Sequence, residues 1–228
     1  MRQVIDFNDG WYFSQYGASG TSVLSKGSPV ILPHTWNGRD GQDGGNDYYR
    51  GTCRYVKEFK RPALAEGEEA WLEFEGVAMT ADVSVNGRNI ACHQGGYSTF
   101  RVNITDVLED DNLLSVSVDN SKNRTVYPQK ADFTFYGGIY RDVHLIIVQS
   151  AHFTLDYFGG TGVKVTPKVA PDHKSARVLV EAWVRGFAEH IVFTVDGQTA
   201  DARIVDGYAN HEFFLDQVHL WNGVKDPH

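Results

Sequence analysis

Ala81-Asp82-Val83-Ser84-Val85-Asn86-Gly87 is the stretch on which the fold class of this chain turns. Apolar and polar residues alternate from Ala81 to Val85, the period of a strand with one buried face. Asn-Gly follows at once, the strongest two-residue signal for a hairpin. The same pattern extends in both directions. Upstream, residues 53–59 and 70–75 read as strands; downstream, residues 100–104, 113–118 and 141–148 do the same. No segment keeps a helical period long enough to alternate with these strands, and a (β/α)8 barrel would need about 250 residues of such alternation. Many short strands with Gly-rich turns predict an all-β sandwich or barrel.

A second block of strands begins near Ala151, at residues 163–167, 176–184, 191–195 and 209–215, with a hairpin turn at Asp196-Gly197. Strands at this spacing suggest an immunoglobulin-like sandwich, which takes about seven strands and about 100 residues. Only 78 residues follow Ser150 (228 − 150). The expected organisation is therefore one domain over residues 1–150 and an incomplete sandwich over residues 151–228. An incomplete sandwich leaves sheet edges unpaired, so association with another copy, or poor order beyond Ala151, is expected.

The 21 Lys and Arg against 29 Asp and Glu give a net charge of −8. That balance argues against a nucleic-acid or anionic-membrane partner, both of which need clustered basic residues. No apolar run approaches the roughly 18 residues needed to span a bilayer. The opening MRQVIDFNDGWYF lacks the apolar stretch of a signal peptide, which leaves a periplasmic, secreted or cytoplasmic location equally open. Cys53 and Cys92 are too few for a disulfide scaffold or a cysteine-based zinc site. Whether they pair is left open.

Two loops carry the less ordinary chemistry. Residues 32–50 are rich in Gly and Asp, and residues 120–138 interleave Tyr127, Phe133, Phe135 and Tyr136 with Arg124, Lys130 and Asp132. Loops of this length inside a compact domain are usually functional or disordered, and the aromatic content of the second argues for function. A convincing catalytic set is missing. Glu73 and Glu75 could form a carboxylate pair for glycoside hydrolysis, but their i,i+2 spacing on a strand is expected to place both on the solvent face. Neither Gly-x-Ser-x-Gly nor His-Glu-x-x-His occurs. The Asp40 to Asp47 cluster lacks the alternating ligands and closing Glu of a calcium loop. No catalytic residue and no metal site is assigned.

Tyr136-Gly137-Gly138-Ile139-Tyr140-Arg141-Asp142-Val143 resembles glycoside hydrolase family 2, chiefly its β-galactosidases. Asn8-Asp9-Gly10-Trp11-Tyr12-Phe13, Leu32-Pro33-His34-Thr35-Trp36, Tyr48-Tyr49-Arg50-Gly51, Glu75-Gly76-Val77, Val85-Asn86-Gly87 and Gly96-Tyr97-Ser98-Thr99-Phe100 follow in the family's order. The tail Leu220-Trp221-Asn222-Gly223 resembles the family's second domain. The resemblance implies a jelly-roll sugar-binding β-sandwich, then a partial immunoglobulin-like β-sandwich. The family's catalytic barrel and its two glutamates come after both. On this reading the chain is an inert part of a retaining exo-β-glycosidase, with a β-linked carbohydrate as substrate and the barrel as its partner. Homo-oligomerisation is left open. The chain itself needs no cofactor, and monovalent or magnesium ions belong to the longer enzyme.

The resemblance also implies a substrate contact from a loop aspartate seven residues before the isoleucine of the Gly-Ile pair, here Asp132 before Ile139. A carboxylate accepts hydrogen bonds from vicinal hydroxyls, which suits a sugar; the competing reading is a loop-capping aspartate. A family asparagine near the strand that starts at Gly51 has Asn46 or Asp47 as its nearest counterpart. Arg141 and Asp142 are expected to pair at the loop base, and Trp36 and Tyr48 to pack in the core rather than stack on a sugar. Two alternatives stand beside this: a self-sufficient carbohydrate-binding, lectin-like module, and a purely structural adhesion-type sandwich.

Overall fold

The computed structural model describes residues 2–15, 20–38, 48–128, 132–221 and 223–225. They divide into two compact units, Met1–Gln149 and Ser150–His228. In the first unit the elements run β1 (Gln3–Asp6), β2 (Trp11–Ser14), α1 (Gly20–Lys26), β3 (Ser28–Val30), β4 (Thr52–Lys60), β5 (Glu69–Phe74), β6 (Val77–Ala78), β7 (Thr80–Val85), β8 (Arg88–Gln94), β9 (Phe100–Asn103), β10 (Asp111–Asp119), β11 (Gly138–Ile139) and β12 (Val143–Val148). A four-stranded sheet in the order β1-β12-β5-β9 faces a six-stranded sheet in the order β3-β2-β4-β10-β7-β8, and β6 with β11 makes a small third sheet. The all-β sandwich expected from the strand grammar is the observed class.

Period-two patterning makes this sandwich. Along β10, Leu114, Val116 and Val118 turn inward with Tyr55, Val83 and Val85, and meet Leu72, Phe74, Val102 and Leu145 of the other sheet in one buried cluster. Each such side chain contributes about 1.5–3 kcal/mol on burial. The Asn86-Gly87 turn joins β7 to β8 with φ of 51° and 78°, the left-handed pair of a type I′ turn. The Asn86 side chain fastens it further: Nδ2 donates to the Val107 carbonyl at 2.9 Å, and Oδ1 accepts from the Leu113 amide at 2.9 Å.

One sequence expectation fails on β5. Glu73 is 8% exposed, not solvated. The registers place Arg101 of β9 and His144 of β12 directly on either side of it. Arg101 pairs with Glu73, and Arg101's own side chain is 7% exposed. An internal strand with a partner on each side has cross-strand neighbours that cover it, and a long Arg side chain supplies both cover and counter-charge. Glu75, one pleat further along, is only partly covered.

The second unit contains β13 (His152–Phe153), β14 (Val163–Val169), β15 (Ala176–Arg185), β16 (His190–Val195), β17 (Gln198–Arg203) and β18 (Tyr208–Leu215). β15 is central, flanked by β14 and β18, with β13 continuing the β14 side. β16 and β17 form a hairpin through Asp196-Gly197, again with positive φ. Val178, Val180, Ala182, Ala209 and Phe213 of the sheet pack on Phe193, Ile191 and Val195 of the hairpin. Strand pairing continues through Leu215, and β17 is a strand that its polar sequence QTADAR does not announce. Cys53 is buried, Cys92 is exposed, and both are free thiols.

Candidate functional site

At one end of the first unit, three loop segments converge: residues 33–38 after β3, residues 48–51 before β4, and the loop from Asn120 to Gly137. The His34 amide donates to the Ile139 carbonyl at 2.8 Å, which ties the first segment to β11. This approach is so close that the loop needs two glycines. A Cβ on Gly137 would lie 2.0 Å from the Trp36 ring, and one on Gly138 (φ +139°) would lie 2.3 Å from the His34 carbonyl. The Gly-Gly of the sequence motif is therefore a packing requirement.

Two wholly buried carboxamides organise the junction. Asn37 and Asn120 are each 0% exposed. Asn37 Oδ1 accepts from the Gly137 amide at 2.7 Å and from Asn120 Nδ2 at 3.2 Å, while Asn37 Nδ2 donates to the Tyr49 carbonyl at 2.9 Å. Asn120 Nδ2 also donates to the Phe135 carbonyl at 2.9 Å, and Asn120 Oδ1 accepts from the Gly51 amide at 2.9 Å. Thr35 Oγ1 donates to the Gly137 carbonyl at 2.8 Å, and the Phe135 amide donates to the Tyr48 hydroxyl at 3.2 Å. Arg50 donates from Nε to the Asn120 carbonyl and lies 4.8 Å over the Phe135 ring. Buried polar groups satisfied this fully rigidify a loop.

Beneath the loops lie His34 and Tyr55. His34 Nδ1 is 2.7 Å from the Tyr55 hydroxyl. Burial pushes the imidazole below its ordinary range. Burial, with the nearby Cys53 as a lesser cause, pushes the phenol well above its own range. Both groups are neutral at neutral pH and serve as a scaffold. Cys53 is itself pushed up to about 12, by burial first and Asp119 second, so it is no nucleophile.

Among the described residues of this loop, Asp132 is exposed, as are Phe133 at 52%, Tyr127 at 81% and Tyr136 at 40%. The Asp132 carboxylate bonds to none of the described residues, so nothing among them shows the loop-capping role. Asn46 and Asp47 lie outside the described residues. The expected Arg141–Asp142 pair is replaced by other contacts: Asp142 Oδ1 accepts from Asn8 Nδ2 at 3.1 Å, and Arg141 lies 5.6 Å over the Tyr140 ring. Each charge thus has its own partner, Asn8 for Asp142 and the Tyr140 ring for Arg141. Trp36 and Tyr48 are used in packing and support of the loop. Asn37 and Asn120 escaped the sequence reading, because an Asn beside Gly or Ser reads as an ordinary turn residue.

Among the described residues, Glu73, Glu75 and His144 form one His and carboxylate grouping, with His144 Nδ1 at 3.4 Å from Glu73 and 3.7 Å from Glu75. Arg101 already holds Glu73, and Arg2 lies 3.9 Å from the same oxygen. Two guanidinium groups against two carboxylates leave little negative charge for a cation. The arrangement is a cross-strand ion network.

Residues 42–148 match the family model for the sugar binding domain of glycosyl hydrolases family 2. A beta-glucuronidase from Bacteroides fragilis is 33% identical over all of this chain and 34% of its own length. A beta-galactosidase from Thermoanaerobacter pseudethanolicus is 31% identical over 69% of this chain and 22% of its own length. The crystal structure of a putative beta-galactosidase from Bacteroides fragilis superposes with a TM-score of 0.83 at 32% identity, over 99% of this chain and 37% of that one. The chain thus spans about a third or less of the length of these relatives.

Proposed function

The chain belongs to glycoside hydrolase family 2, and from that premise we propose that it works as the non-catalytic N-terminal portion of a longer exo-β-glycosidase. Its sandwich lends the loop at residues 120–137 to an active site built by a catalytic barrel. The observation that supports the reading is the exposed Asp132, in the loop that a buried amide network ties down at Asn120 and Gly137. An exposed carboxylate among exposed aromatic rings suits a sugar, whose hydroxyls donate to the oxygens while its apolar face meets the rings. The sugar is glucuronic acid or galactose, the two named for the relatives. Identity over the full chain favours the glucuronide, whereas the Gly-Ile-Tyr-Arg-Asp-Val motif favours the galactoside. Any monovalent or magnesium ion is read as the barrel's; in the Glu73, Glu75 and His144 grouping, Glu73 already faces Arg101 and Arg2.

Chromogenic β-glucuronides and β-galactosides, offered to this chain and to the polypeptide carrying a barrel, test the proposal. Turnover is expected only from the longer form. Within it, Asp132→Ala is expected to lower kcat/KM by about 100-fold, the size of a lost transition-state contact. Turnover by this chain alone, or an unchanged kcat/KM in the variant, overturns it.

A further inference from the structure

We propose that Asn37 and Asn120 are positioning residues: their paired buried carboxamides set where Asp132 stands relative to the substrate. This rests on the reading of Asp132 as a sugar contact. The described residues between Asn120 and Gly137, 120–128 and 132–137, form no strand or helix, and such a segment does not hold a carboxylate in one place by its own backbone. Here it is clamped at two alternate residues. At Phe135 the carbonyl receives Asn120 Nδ2 and the amide meets the Tyr48 hydroxyl. At Gly137 the amide meets Asn37 Oδ1 and the carbonyl receives Thr35 Oγ1. Asp132 lies three residues from the nearer clamp, so its freedom is set there.

The two carboxamides act as one device. Both protons of Asn120 Nδ2 are used, one on Phe135 and one on Asn37, so each amide orients the other. The pair bridges positions 83 residues apart in the chain, and Asn120 reaches across to the Gly51 amide at the start of β4. A purely structural bond could sit on any loop of the sandwich. This one converges on the segment that carries the exposed carboxylate, and displacement of a reacting or binding group by about 1 Å costs as much as 100-fold in rate.

A double-mutant cycle in the barrel-bearing enzyme separates positioning from plain stability. Thr35→Val keeps shape and removes the hydroxyl that donates to the Gly137 carbonyl and accepts from the Asn37 amide; Asn37→Ser removes the carboxamide. Each is made alone and with Asp132→Ala, with kcat and KM measured on the chromogenic glycoside the enzyme turns over and the melting temperature followed in parallel. In the Asp132 background we expect kcat/KM to fall about fivefold for Thr35→Val and about tenfold for Asn37→Ser. In the Asp132→Ala background the same substitutions should change it by less than about twofold, because the group they position is gone. Equal effects in both backgrounds, or no effect of either substitution, overturn the proposal while leaving Asp132 in place. An unchanged kcat/KM in Asp132→Ala alone sinks the sugar-contact reading itself. If Asn37→Ser does not fold, Thr35→Val decides through the same clamp.

Discussion

Gly137 has no room for even one methyl group, with the Trp36 ring 2.0 Å from where a Cβ would stand. Gly137→Ala should therefore cost about 1–3 kcal/mol, the range for an overpacked site, seen as a lower urea midpoint with an unchanged m-value. Wild-type stability in this variant would mean that the loop does not close over Trp36. The sequence shows the two adjacent glycines plainly but not their reason, which lies in a segment 100 residues upstream in the chain. Histidine behaves similarly. Burial depresses both His34 and His93, the latter against a smaller opposing bond from the Gly95 carbonyl. Below the ordinary value of 6.5, the unfolded chain takes up protons that the folded chain refuses, so stability is full above that value and falls as pH drops through it. Melting temperatures between about pH 7.5 and about pH 5.5 should decline accordingly, with a shallower slope in His34→Gln. An identical slope in that variant would remove His34 from the cause.

Elements were more legible than their surroundings. β5, β7, β10 and β12 show in the sequence because each carries a run of alternating or continuous apolar residues. β17 did not, because it is an exposed hairpin arm whose partner β16 supplies the apolar side chains. The solvent-face assignment of Glu73 failed for a related reason: a strand pattern gives the alternation of faces but not what its neighbours lay over them. The row Arg101–Glu73–His144 spans β9, β5 and β12, so its loss acts on the sheet as a whole. Glu73→Gln leaves Arg101 buried without its anion, and breaking such a pair costs about 3–5 kcal/mol. Replacing both partners together, Glu73→Leu with Arg101→Met, should restore most of that stability. Denaturant midpoints for the two variants decide this; equal losses in both would mean that packing, rather than charge, makes the row.

Across the whole molecule, the order of motifs along the first unit was readable, while the buried amides that join its loops were not, since they link positions about 70 to 100 residues apart. The second unit raises the question of its edges. β14 and β18 flank β15, and neither has a further ladder partner among the described residues. An edge of this kind invites pairing with another copy, which was the expectation from sequence. β14, however, carries Pro167 and Lys168 in its exposed stretch. Proline in a strand sits where its missing donor faces outward, and lysine opposes a like-charged neighbour laid alongside. On β18 the Phe214 carbonyl is already taken by Gln198 Nε2 at 2.9 Å. The edges are thus blunted by chemistry, and β14 is expected to resist pairing with a second copy. Replacing Pro167→Val and Lys168→Val returns an outward donor at 167 and removes a charge at 168; residue 167 lies opposite the buried Val178, so valine keeps that face apolar. Sedimentation velocity at increasing concentration should then show self-association in the double variant beyond that of the parent chain. Identical sedimentation of the two would show that the β14 edge is protected by something other than its proline and lysine.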